Sequence, residues 1–148
     1  MILRLETQRV LKAQEVPSDA ELRQWTEAAL GERVDKAELV IRIVDEAESQ
    51  TLNREYRGVD RPTNVLSFPS ELPTEVESDL LGDLVISAPV VQREANEQDK
   101  PLQAHWAHMV IHGVLHLIGF EHETDRQAHE MESLERSLLQ ELGFPDPY

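Results

Sequence analysis

Cysteine is absent from this 148-residue chain. That excludes disulfides, a thiolate nucleophile and any thiolate metal site, so a bound ion has to be held by nitrogen and oxygen. Long apolar runs are missing as well; none approaches the roughly 20 residues that span a bilayer. Charges interrupt Met1-Ile2-Leu3-Arg4-Leu5-Glu6 where a secretion signal needs an unbroken apolar stretch, so a cytoplasmic location is expected. Basic residues are scarce, 14 Lys and Arg against 29 Asp and Glu, giving a formal net charge of −15. A broad basic face for gripping nucleic acid is thereby excluded, and a polyanionic substrate would have to be met by a few arginines, a metal or a larger partner. There is no internal repeat, low-complexity tract or linker. With 40% apolar and 29% charged residues, the composition is that of one soluble globular domain over residues 1–148.

Helix and strand signals interleave along the chain. Residues 3–7 alternate apolar and polar and read as a strand. Ser18 and Glu21 form a capping box that opens a helix through Leu22, Trp25, Ala29 and Leu30, stopping at Gly31. Residues 37–44 are β-branched and alternating, a second and well-paired strand. Asp45, with Glu48 three residues on, caps a helix to about Tyr56 with Ala47, Leu52 and Tyr56 on one side. A turn-rich connection over 57–63 leads to a short strand over 65–68, closed by Pro69. The acidic stretch 71–79 reads as an exposed loop, residues 80–87 as a strand, and Pro89 as the first turn of a helix. A break at Asp99-Lys100-Pro101 precedes a long amphipathic helix rich in histidine. Thr124 and Gln127 make a second capping box for a last helix through Met131, Leu134, Leu138 and Leu142, ended by Gly143. The hairpin-like connection between Val65 and Ser87 implies an α+β fold, a small mixed sheet packed by about five helices.

Three histidines fall within eleven residues, His112, His116 and His122. At about 100° per residue the first two lie within roughly 40° of each other, one helical turn apart, so both imidazoles leave the same face. Gly119 can end the helix and let the chain turn, returning His122 to the same point. Three imidazoles with a fourth position open to solvent describe a catalytic zinc site, one ion per chain. Such an ion lowers the pKa of water to about 7 and polarises a carbonyl or phosphoryl oxygen. The spacing H-x3-H-x2-G-x2-H is that of metzincin peptidases, but Gly113 stands where their glutamate base follows the first histidine. A peptidase or amidase is therefore disfavoured.

Other residues carry weaker signals. His105 and His108 continue the histidine stripe upstream, either as outer-sphere donors to the site or as packed side chains. His129 reads as solvated. Glu121 and Glu123 flank His122 and could orient an imidazole, although exposed loop acids are commoner. Arg54, Arg57 and Arg61 crowd one stretch, where a guanidinium fork could meet phosphate oxygens and helical spacing could pair Arg54 with Arg57, although on composition alone a solvated surface is the commoner reading for each. Asp83 is either an outer-sphere acid or a strand-end acceptor. A fourth protein ligand from Glu121 or His108 would indicate a structural metal instead, as in an assembly factor whose cleavage belongs to a partner.

The histidine motif His112-Gly113-x-Leu115-His116-Leu117-x-Gly119-Phe120-x-His122, the stretch Tyr56-Arg57-Gly58 through Pro62-Thr63-Asn64-Val65-Leu66-Ser67-Phe68-Pro69, and Leu81-Gly82-Asp83 together resemble the YbeY family of bacterial metal-dependent endoribonucleases. They stand in the family's order and cover most of the chain. The resemblance implies a zincin-like hydrolase fold in which His112, His116 and His122 bind zinc and Arg57 lies in the active-site cleft, making Arg57 and His112 the catalytic expectations. It also implies single-stranded RNA as substrate, maturation of the 3′ end of small-subunit ribosomal RNA, ribosome quality control, and the small ribosomal subunit with its proteins as partners, with no DNA or membrane partner.

Overall fold

Alternating residues of the second strand become the interior of a sheet with one well-covered face. The computed structural model describes residues 1–11, 15–73 and 75–148. Its elements run β1 (Ile2–Arg9), α1 (Asp19–Leu30), β2 (Lys36–Val44), α2 (Glu46–Arg57), β3 (Val65–Pro69), β4 (Leu80–Ser87), α3 (Ala88–Glu97), α4 (Leu102–Leu117) and α5 (Asp125–Glu141). The four strands are ordered β1-β2-β4-β3. β1, β2 and β4 are parallel, while β3 runs antiparallel to β4 at the sheet edge. The expected α+β architecture with a mixed sheet is what forms. Both capping boxes are present, Ser18 with Glu21 and Thr124 with Gln127. Thr74, inside the acidic stretch 71–79, lies outside the described residues.

Leu39, Ile41 and Ile43 of β2 are fully buried on the covered face. Each contributes about 1.5–3 kcal/mol by leaving water. The face they meet is made by α1 and α4 in one continuous core that includes Trp25 and Trp106. A smaller apolar cluster of Val44, Leu66 and Val85, with Leu52 and Phe68 against it, lies apart from that core. None of the helices is long and apolar enough to cross a membrane, among the described residues.

Two helices differ from the sequence expectation. α4 is not amphipathic: from Ala104 to Leu117 every residue is buried except His112 and His116. The sheet, α1, α3 and α5 surround it, so its apolar sequence is satisfied on nearly every side and, beyond its first turn, solvent reaches it mainly at two imidazoles. In α2 the buried residues are Ser49 and Asn53, while Ala47 and Tyr56 are exposed. The connection 58–64 carries main-chain groups that no strand pairs, and α2 turns polar side chains to them. Ser49 Oγ donates to Thr63 O at 2.7 Å and accepts the Thr63 N–H at 2.9 Å, while Asn53 Nδ2 donates to Arg61 O at 2.9 Å. That polar seam fixes the loop between Arg57 and β3.

Candidate metal centre

α4 ends because the chain tightens after Leu117. The Gly119 N–H donates to His116 O at 3.1 Å and the Phe120 N–H to Leu115 O at 3.0 Å. Gly119 adopts φ +104°, a backbone region that side chains disfavour. This turn does two things at once. It returns His122 beside the helix, with ring centroids 4.7 Å from His116 and 5.6 Å from His112. It also aims Phe120 O at His116 Nδ1, 2.8 Å away.

The three expected histidines are therefore brought together, each offering a ring nitrogen within 4.8 Å of the others. Whether they suit a cation follows from what their other nitrogens do. A carbonyl oxygen only accepts, so His116 Nδ1 donates to Phe120 O and leaves a lone pair on Nε2. His112 Nδ1 lies 2.7 Å from Glu135 Oε1, an ionised carboxylate that likewise only accepts. The two Nε2 atoms then face each other 3.1 Å apart, each with a lone pair. Two facing lone pairs repel and a shared cation relieves that repulsion, and ligands in a tetrahedron at about 2.0–2.1 Å from zinc stand roughly 3.3 Å apart. Burial, then the neighbouring His112 and His122, hold His116 below the ordinary histidine value, which favours the neutral form a metal requires. The donor set fits a divalent metal. No fourth protein ligand joins these three among the described residues.

Behind His112 stands Glu135 of α5, a residue sequence reasoning passed over. Its side chain is fully buried, with His112 on Oε1, and His108 Nε2 at 2.8 Å and Tyr148 Oη at 2.6 Å both on Oε2. Burial alone would raise its pKa; the hydrogen bonds from His108, His112 and the Tyr148 hydroxyl outweigh it and hold the carboxyl at about 2. Burial and the Glu135 carboxylate push the Tyr148 phenol up, so it stays a donor. Glu135 stands as the outer-sphere carboxylate behind His112, while Glu121 and Glu123 are exposed, the commoner reading of loop acids. A signal was available: Glu135 is four residues after Met131 and three before Leu138, inside the apolar stripe of α5.

The remaining expectations sort by position. His108 bonds Glu135 and does not join the three-histidine group. His105 turns to α3, with Nε2 2.9 Å from Glu94, which also accepts from Asn64 Nδ2 at 3.0 Å. His129 is exposed, as expected. Arg57, the last residue of α2, lines a cleft of about 530 Å³ together with His112, His116 and His122. Among the described residues Arg57 pairs with no carboxylate, whereas Arg54 lies 3.8 Å from Asp60. Arg61 is exposed and does not line this cleft, and Asp83 is exposed on a different groove against α2 and β3. Glu121 stands at the cleft rim without joining the histidines.

Gly113 explains itself by packing. A Cβ there would meet Leu84 Cδ2 at 2.8 Å and Val65 Cγ2 at 3.2 Å. Position 113 thus faces the sheet, where α4 sits on β3 and β4, and not the cleft. Gly113→Glu is expected to lower unfolding stability by about 3 kcal/mol or more, through overpacking and a buried acid, and to confer no peptide hydrolysis. Chemical denaturation and a casein assay check the two halves.

Comparison with known proteins gives the same direction. A family model described as endoribonuclease YbeY matches residues 6–143. Among solved structures, the chain is similar to the solution structure of TM1509 from Thermotoga maritima, at 27% identity and a TM-score of 0.66, covering 95% of this chain and 89% of that one. The family match includes the cleft, the histidines and Glu135 and stops short of Tyr148.

Proposed function

The chain belongs to the YbeY endoribonuclease family, a family of ribosomal RNA processing, and from that premise we propose a zinc-dependent endoribonuclease specific for single strands. Its substrate is the 3′ end of small-subunit ribosomal RNA, in the cytoplasm, where it also serves ribosome quality control. The observation that carries the reading is one cleft lined by three convergent imidazoles and by an arginine that pairs with no carboxylate among the described residues. When bound by His112, His116 and His122, zinc supplies a Lewis acid and a source of hydroxide at neutral pH. The chain's own residues do the rest. Glu135 and Phe120 O hold the first two imidazoles in the tautomer that presents Nε2. Arg57 places its donor fork against the non-bridging oxygens of the scissile phosphate and neutralises the charge that grows there.

The charge of −15 supports a protein that meets RNA already mounted on a ribosomal particle, with the small subunit and its proteins as partners. A peptidase reading lacks its base, because position 113 is pressed against Leu84 and Val65. Purified protein is expected to cleave a single-stranded oligoribonucleotide, to lose that activity on chelation and to regain it with zinc. His112→Ala prepared in parallel controls for contaminating nuclease. Cleavage that persists in both the chelated protein and that variant would overturn the proposal.

A further inference from the structure

We propose that the cleft contains a subsite for one unstacked nucleobase, with Tyr56 as its stacking platform and the main chain of Ser67 as its polar wall. The inference rests on the RNA reading above and deepens it. Tyr56 is 66% exposed, an unusual position for one of only seven aromatic residues in the chain (two Trp, two Tyr and three Phe). Its ring is nonetheless supported from one side: it packs edge-to-face on Phe68, with centroids 5.1 Å apart and planes at 71°. A ring lining the cleft, adjacent in sequence to Arg57, offers a sequence-tolerant surface to a base whose phosphate the arginine holds.

The opposite feature is the free edge of β3. Ser87 N–H donates to Asn64 O at 2.9 Å and Ser70 N–H to Leu81 O at 2.9 Å. In the antiparallel register this directs the main-chain groups of Leu66 and Phe68 to β4 and those of Val65, Ser67 and Pro69 outward, on the edge that no strand covers. An open edge ordinarily invites an extended peptide. Here it is disarmed at both ends. The Val65 N–H is taken by Asn64 Oδ1 at 2.6 Å, and Pro69 has none. Ser67 is left as the one outward residue offering a donor beside an acceptor, and its Oγ is anchored to Gly113 O at 3.0 Å. One donor–acceptor pair is too little to hold a strand. It matches the paired donor and acceptor on the hydrogen-bonding edge of a single base.

The test uses the chelated full chain, so that binding is read without turnover, and a short single-stranded oligoribonucleotide with one base at a time replaced by an abasic ribose. Removing the base at one position is expected to weaken binding to the wild type on the order of 5- to 150-fold, the range of one stacked base, and the other positions far less. Tyr56→Ala should bind the intact oligonucleotide as weakly as the wild type binds that abasic one, and should lose nothing further from it. Tyr56→Phe, which keeps the ring, should behave as wild type. Intact affinity in Tyr56→Ala, an equal loss at every abasic position, or tighter capture of an extended peptide than of RNA overturns the subsite. If Tyr56→Ala still cleaves and binds RNA as wild type does, only this inference fails; if the wild type neither binds nor cleaves RNA, the proposed function fails with it.

Discussion

Arg57→Glu is expected to reduce RNA cleavage by about 10²–10³-fold or more while leaving metal content at one ion per chain. The size follows from electrostatic stabilisation of a developing oxyanion, where loss of one donor typically has that effect, and here the charge is also reversed. Because Arg57 is exposed at the end of α2 and pairs with no carboxylate among the described residues, stability should stay within about 0.5 kcal/mol. Arg57→Lys should fall between the two, since an ammonium keeps the charge but not the bidentate fork. Elemental analysis and cleavage kinetics on the same preparations decide the matter. Wild-type rates in Arg57→Glu would remove the residue from the mechanism.

The second large effect belongs to Glu135. Replacing it by alanine strips the shared acceptor from His108, His112 and Tyr148 in a buried place. Breaking a buried hydrogen-bonded charge network of this kind costs about 3–5 kcal/mol, and loss of the group that orients a metal-binding imidazole lowers metal affinity by about 10–100-fold. Glu135→Gln separates charge from shape. The folded-state pKa is depressed from 4.5 to about 2, so the carboxylate's contribution is complete above pH 4.5 and is lost as pH falls toward 2. That difference corresponds to about 3 kcal/mol. Denaturation midpoints measured across that interval should fall steeply for the wild type and more gently for Glu135→Gln. Parallel slopes would show that the acid contributes little.

The convergence of the three histidines was legible because the information for it is local. His112 and His116 share a helix face by their spacing, and Gly119 forecasts the turn that returns His122. Capping boxes at Ser18 and Thr124 are likewise written in consecutive residues. The faces of α2 and α4 were not legible. Periodicity assumes that polar residues seek water, yet Ser49 and Asn53 seek the bare main chain of a loop that only the fold brings near. α4 was read as amphipathic because four of its sixteen residues are histidines, and two of those are buried against acids from α3 and α5.

From its residues alone, this chain determined which side chains could share a cation, where its helices begin, and that the peptidase base is missing at Gly113. Tertiary structure decided what stands around them: Glu135 from a helix 23 residues away along the chain, Tyr148 beyond it, Arg57 lining the same cleft, and an edge strand with a single free outward donor. The division has a physical cause. Helical spacing and turn chemistry act over a few residues, whereas a buried carboxylate, a cleft wall and a strand edge come into being only when distant segments pack and water leaves between them.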